Sequence, residues 1–229
     1  MTLTKNKFDS VSERLSEIIR RAKEASLKAG VDNTPAEIIA VSKRQPDEKI
    51  KEALDFGHRL FGENRVQEAI TRWTEQKPRY PDLRLHLIGP LQTNKVGEAV
   101  AFFDAIETVD RPKLARALAS QMSQQKRYPD CYVQVNTGEE PQKSGIFPSQ
   151  AENFINFCRF ECKINIIGLM CIPPINEEAA MHFALLRKIA EKNNIKKLSM
   201  GMSSDFETAL EFGATSVRIG SAIFGERNH

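Results

Sequence analysis

Eight short apolar runs recur along the chain, and each is separated from the next by a stretch with helical spacing. They cover Glu37–Lys43, Leu60–Gly62, Leu83–Gly89, Ala105–Asp110, Cys131–Asn136, Ile164–Met170, Leu198–Met200 and Ser216–Gly220. Strands that alternate with helices pair in parallel, because each helix returns the chain to the same edge of the sheet. Eight such units close a barrel. The rival architecture, an open doubly wound sheet, carries fewer strands and a glycine-rich first turn. No G-x-G-x-x-G is present. The expected fold is α/β: a single (β/α)8 TIM-type barrel domain over residues 1–229, with an extra amino-terminal helix.

Helix boundaries are marked by several signals. Ser10-Val-Ser-Glu13 reads as a capping box opening a long helix, with Val11, Leu15, Ile18, Ile19, Ala22 and Leu27 on its apolar face and Gly30 as its stop. Capping boxes are also expected at Ser149–Glu152 and Ser204–Glu207, and caps at Thr93 and Asn176. Pro112 fits the first turn of its helix. Ala53-Leu-Asp-Phe-Gly57 and Ala209-Leu-Glu-Phe-Gly213 are near copies, each closing a helix just before a strand. Nine residues follow Gly220, too few for a full eighth helix, so the first helix is expected to cover part of that gap. The stretch Thr137–Pro148 reads as a functional loop.

Charge excludes some partners. With 33 basic against 30 acidic residues, the net charge of +3 is too balanced for nucleic acid or a membrane surface. No apolar stretch approaches membrane-spanning length. Met1–Ser10 lacks the apolar core of a signal peptide, so the expected location is cytoplasmic. The cysteines, 131, 158, 162 and 171, form no C-x-x-C pair and read as reduced thiols, not metal ligands.

The chemistry is expected at the carboxyl ends of the strands. Lys43 closes the first run there. A lysine held partly out of water has its amine pKa lowered, and the neutral amine attacks carbonyls to form an imine. The plain alternative is a solvated strand end. The ends of strands seven and eight carry Met200-Gly-Met-Ser-Ser-Asp205 and Arg218-Ile-Gly-Ser221. Gly201 and Gly220 let backbone approach, and Ser203, Ser204 and Ser221 offer hydroxyls, as a phosphate site requires. Arg218 interrupts a core strand and needs a partner, either a salt bridge or a ligand. An imine-forming lysine, a phosphate corner and an arginine between them converge on pyridoxal 5'-phosphate, which has an aldehyde, a phosphate and a ring nitrogen.

The motifs Ala40-Val-Ser-Lys43, Phe61-Gly-Glu-Asn-Arg65, His86-Leu-Ile-Gly-Pro-Leu-Gln-Thr-Asn-Lys95, Val135-Asn136 with Lys143-Ser-Gly145, Gly168-Leu-Met170, Ser199–Asp205 and Val217-Arg-Ile-Gly220 run through nearly the whole chain. On these the chain resembles the YggS-type, or pyridoxal phosphate homeostasis, proteins. The resemblance implies that Lys43 holds the cofactor as an internal aldimine and that Arg218 faces the pyridine nitrogen. It places Ser203, Ser204, Gly220 and Ser221 in the phosphate-binding segments, and Asn64 and His86 near the ring. Met170 is a further ring-side candidate, which core packing also explains.

The fold implied also resembles the barrel of alanine racemase, with a departure. That enzyme needs a tyrosine base from a partner subunit and a second domain. Here Tyr80, Tyr128 and Tyr132 all lie away from strand carboxyl ends. A guanidinium also stays protonated, so it donates to a ring nitrogen without protonating it. The first reading is therefore a binding protein for cofactor homeostasis and supply, without a defined turnover. Its partners would be pyridoxal 5'-phosphate and pyridoxal-phosphate-dependent apo-enzymes. It is expected to be a monomer, or at most a weak dimer with self-contained sites. The alternative is a pyridoxal-phosphate enzyme acting on amino acids as a slow racemase. A third reading, an aldolase using Lys43 alone, ranks lower; Lys163 lies at the wrong end of strand six.

Overall fold

The structure is a computed structural model describing residues 10–30 and 35–226. The expectation about residues 1–9 lies outside the described residues. In order, the elements are α1 (Val11–Lys28), β1 (Glu37–Val41), α2 (Asp47–Asp55), β2 (Leu60–Glu63), α3 (Val66–Trp73), β3 (Arg84–Leu87), α4 (Val96–Phe102), β4 (Ala105–Val109) and α5 (Pro112–Gln125). There follow β5 (Asp130–Gln134), α6 (Ala151–Asn156), β6 (Ile166–Met170), α7 (Ala179–Lys192), β7 (Lys197–Ser199), α8 (Phe206–Glu211), β8 (Ser216–Ile219) and α9 (Ser221–Phe224). The strands form one closed parallel barrel in chain order. It closes where Glu37 to Ala40 of β1 pair with Ser216 to Ile219 of β8.

Period-2 alternation divides each strand between two layers. Leu85, Leu87, Ile106, Val133, Leu169, Leu198, Val217 and Ile219 join the layer under the helices. Their neighbours line the barrel interior, where Ala105, Tyr132 and Met170 form a separate apolar cluster. At the amino end of the barrel, Glu37 pairs with Arg84 at 2.7 Å and Lys197 at 3.4 Å. Burial raises the Glu37 carboxyl pKa, but the Arg84 hydrogen bond and the Lys197 charge outweigh this and leave it low.

The capping box at Ser10 forms in full. α1 buries Val11, Leu15, Ile18, Ala22 and Ala25, while Ile19 and Leu27 stay exposed, off that face. The helix packs on α2, α8 and α9, covering the place of a longer last helix. Arg21 holds Glu207 of α8 at 3.1 Å, and the Ser12 amide donates to Glu52 of α2 at 3.1 Å.

Other expected caps do not form. Ser149 lies inside the 3-10 turn Pro148–Gln150, so Gln150 occupies the cap of α6. Ser204 lies in a turn, Asp205 is the cap residue, and Glu207 is drawn instead to Arg21. Thr93 opens a 3-10 turn ahead of α4, and Glu178, not Asn176, caps α7. Pro112 stands in the first turn of α5 as expected. Strand runs also shorten: β1 stops at Val41 and β5 at Gln134, although Val135 still forms a single bridge with Ile146.

Beyond β3, Gly89 passes so close to Asn64 that a Cβ there would lie 2.2 Å from the Asn64 carbonyl oxygen. Only glycine lets the chain ends after β2 and β3 lie side by side. Gly89→Ala is expected to destabilise the barrel by about 2–3 kcal/mol through overpacking. Urea denaturation would measure this, and an unchanged midpoint would contradict it.

Candidate functional site

Lys43 sits two residues beyond β1, half-buried, at the carboxyl mouth of the barrel. Its turn is clamped from outside the barrel. Arg72 of α3 donates to the Ser42 carbonyl at 2.6 Å and to the Gln45 carbonyl at 3.0 Å. The buried Glu63 carboxylate, at the end of β2, accepts from the Ser42 hydroxyl at 2.7 Å, Trp73 Nε1 at 3.1 Å and Arg72 at 3.3 Å. Arg44, at φ +58°, turns the chain away toward α2. Lys43 and Asn64 line a shared cleft of about 230 Å³ with Arg44, Arg65 and Glu68.

Behind this turn a polar chain crosses the lumen. Arg218 of β8 donates through Nη1 to Ser199 Oγ on β7 at 2.8 Å, and through Nη2 to the Cys171 carbonyl at 2.8 Å. Ser199 Oγ donates to Glu107 Oε2 on β4 at 2.5 Å. Glu107 Oε1 lies 2.7 Å from His86 Nδ1 on β3. Because β4 and β7 are not neighbours, these contacts pass through the barrel interior. Burial alone would raise the Glu107 carboxyl; the hydrogen bond from His86 Nδ1, the charge of Arg218 and the Ser199 hydroxyl outweigh it and carry the pKa down. Among the described residues, His86 Nε2 and Gln134 Oε1 are buried without a hydrogen-bond partner.

The corner after β7 and β8 is held by backbone. The Arg218 amide donates to the Gly201 carbonyl at 2.9 Å. Ser203 Oγ accepts from the Ala222 amide at 3.3 Å, tying the turn to α9. Ser204 and Ser221 are exposed, and Gly220 stands beside Val41 at the end of β1. Gly201, at φ +91°, has room for no Cβ, because one would lie 2.5 Å from that of Ala209. Met170 is fully buried against Tyr132 and Ala105, as core packing would have it.

The fold thus gathers Lys43, Asn64, Ser203, Ser204, Gly220 and Ser221 at the carboxyl end of the barrel, over a lumen holding His86, Met170 and Arg218. Sequence reading assigned no role to Glu107, Glu63, Arg72 or Ser199. Glu107 carried a readable signal, since an acid inside Ala105–Val109 raises the same question as Arg218 in its strand. Arg72 carried none, because an arginine on a surface helix is ordinary. Among the described residues no group of three or more His, Cys, Asp or Glu is placed to hold a metal. Burial pushes the thiols of Cys131, Cys158 and Cys171 up, away from reactivity. No helix among the described residues is long and apolar enough to cross a membrane.

The family described as alanine racemase, N-terminal domain, matches residues 15–228, which sets the class of barrel. The chain belongs to this family, in the branch of the pyridoxal phosphate homeostasis proteins. It is 37% identical to the pyridoxal phosphate homeostasis protein of Pseudomonas aeruginosa, over 97% of this chain and 98% of that one. Identity to the protein of the same name from Vibrio cholerae is 36%, over 96% and 98%. Among solved structures, PipY of Synechococcus elongatus is 35% identical, covering 94% of this chain and all of PipY, with TM-scores of 0.84 without pyridoxal phosphate and 0.79 with it bound. A Clostridium difficile alanine racemase shares the fold at a TM-score of 0.71 with 12% identity, and the match spans 58% of that chain.

Arg72→Ala is expected to cost about 2–3 kcal/mol, the worth of charged hydrogen bonds to two carbonyls. It should also raise amide exchange at Ser42–Gln45 selectively, which hydrogen-exchange mass spectrometry would show. Uniform exchange across the barrel would contradict the clamp. A second expectation concerns pH. Glu107 has a depressed pKa, so its stabilisation is complete above the ordinary glutamate value and is lost as pH falls through the lower folded value. Glu107→Gln should therefore flatten the decline in stability as pH falls below the ordinary glutamate range. Urea titrations at stepped pH would test it, and parallel curves for the two proteins would refute it.

Proposed function

We infer that this chain binds pyridoxal 5'-phosphate at the carboxyl mouth of the barrel and serves its homeostasis and supply, without a defined turnover. The observation that carries the reading is the buried chain from Arg218 to His86 beneath the turn that presents Lys43. The residues fit the cofactor. A cationic donor and the unpartnered, buried His86 Nε2 suit a ring bearing nitrogen and hydroxyl groups, and the hydroxyls of Ser203, Ser204 and Ser221 suit a phosphate. When bound, the cofactor supplies an aldehyde that condenses with a primary amine.

In this reading Lys43 provides the amine, held in place by the Arg72 clamp on its turn. Ser203, Ser204, Gly220 and Ser221 hold the phosphate, and Asn64 and His86 flank the ring. Met170, at the carboxyl end of β6, is a further group beside the ring. Arg218 donates toward the ring nitrogen and, as a guanidinium, gives up no proton there. The lumen phenol, Tyr132, keeps its proton and so offers no base: burial, reinforced by the Glu107 charge, pushes its pKa up. Both features favour holding the cofactor over racemising amino acids. The reading takes the site as self-contained, in a monomer or at most a weak dimer. Balanced charge and mostly buried thiols support a cytoplasmic protein with no role for nucleic acid or membrane, and a supply role would make cofactor-requiring apo-enzymes its partners.

Incubation with pyridoxal phosphate is expected to give a visible absorption band that Lys43→Ala abolishes while circular dichroism stays unchanged. Borohydride reduction and peptide mapping should place the modification on Lys43. Label on Lys95 or Lys143 would overturn the assignment, and amino-acid turnover at enzymatic rates would overturn the supply role.

A further inference from the structure

Glu107 is the one carboxylate in the crossing chain, and it lies between the two groups turned toward the cofactor reading above. We propose that Glu107 is a positioning residue that fixes which hydrogen-bonding face His86 and Arg218 present to the bound pyridoxal ring. The proposal rests on that reading of the site. It uses only the valence of the groups in contact.

An ionised carboxylate accepts and never donates. At 2.7 Å from Glu107 Oε1, His86 Nδ1 must therefore carry the hydrogen. In a neutral imidazole this makes Nε2 a bare acceptor. Nε2 is buried and has no partner among the described residues, so its acceptor face is turned to the lumen and not to a protein donor. The second carboxylate oxygen works on Arg218 by relay. Ser199 has a single hydroxyl hydrogen, and at 2.5 Å it is committed to Glu107 Oε2. What remains on Ser199 Oγ are lone pairs, and one receives Arg218 Nη1 at 2.8 Å. The Cys171 carbonyl fixes Nη2 at 2.8 Å. Two of the guanidinium's nitrogens are thus held, and its plane is set.

A purely structural Glu107 would neutralise Arg218 and stabilise the barrel without governing either face. The two roles separate experimentally. In cofactor-free protein labelled with nitrogen-15 histidine, His86 is expected in one tautomer with hydrogen on Nδ1. Glu107→Gln offers His86 an amide that can accept or donate, so the tautomers should mix. Ser199→Ala should leave the His86 tautomer as in the parent, because it cuts only the branch to Arg218. Both variants should bind pyridoxal phosphate about tenfold more weakly, the loss expected of one misaligned charged hydrogen bond. Both should also shift the visible band of the loaded protein.

Hydrogen on Nε2 of His86 in the parent protein would overturn the proposal. So would parent-like affinity and an unshifted band in Ser199→Ala, a variant that keeps the buried charges and tests the relay even if Glu107→Gln fails to fold. A parent protein that binds no pyridoxal phosphate would remove the functional reading and the proposal with it. That case is distinguishable, because the tautomer is read before any cofactor is added.

Discussion

A closed barrel of eight parallel strands has an interior that side chains must fill, and here the carboxyl half is filled around a buried charge. Arg218 is 4% exposed, and an unpaired guanidinium at that depth costs several kcal/mol. Its nearest acceptors are a hydroxyl and a carbonyl, neither charged. The compensating charge stands one group further, on Glu107, reached through Ser199. The rest of the lumen follows from this. His86 is drawn to the second carboxylate oxygen, and Ala105, Tyr132 and Met170 pack beside the chain as an apolar cluster. At the opposite end Glu37 is met by both Arg84 and Lys197. The link from Ser199 to Glu107, and those from Glu37 to Arg84 and Lys197, join strands that are not neighbours, so they form only across the assembled barrel.

The same logic operates outside the barrel at Glu63. Its carboxylate sits against the indole and guanidinium of α3 and the hydroxyl of Ser42. Arg72 then takes the two carbonyls of the turn. The turn bearing Lys43 is short, and its shape is set by a helix on the far side of the sheet. A residue at a strand end gains its position from such supports, since the strand ladder has already stopped at Val41.

The barrel was legible in the sequence because each strand is a dense apolar run and each helix keeps a 3.6-residue pattern. Those are local signals with one reading each. Caps were less legible. Ser10, Ser149 and Ser204 present the same four-residue pattern, yet only Ser10 forms the reciprocal bonds. Pro148 starts its turn too early for Ser149, and Glu207 finds a charged partner on α1 that outcompetes a backbone amide. Lys43, Arg218 and the serine corner were legible because glycine spacing and a charge in a core strand are unusual. Glu107 was overlooked, although its strand shows the same anomaly, because its meaning depends on two residues that lie far off in sequence. Arg72 could not have been found, since its partners are main-chain atoms of another loop.

If the chain binds pyridoxal phosphate as proposed, the chemistry of the lumen bears on the electronics of the bound ring. Carbanion chemistry on a pyridine ring gains from a protonated ring nitrogen, which an adjacent carboxylate would favour. Here a carboxylate is present in the lumen, but a serine and a guanidinium stand between it and the face that Arg218 offers. The negative charge is spent on the Ser199 hydroxyl that receives Arg218. Exchanging the order of these groups would change the electronics of a bound ring without changing the fold. Tyr132, the lumen's phenol, is held low in the barrel against Met170 and Ala105, with its proton retained by burial. The arrangement places Lys43 at the mouth and the Arg218 guanidinium below it, with Ser199, Glu107 and His86 bonded in series across the wall.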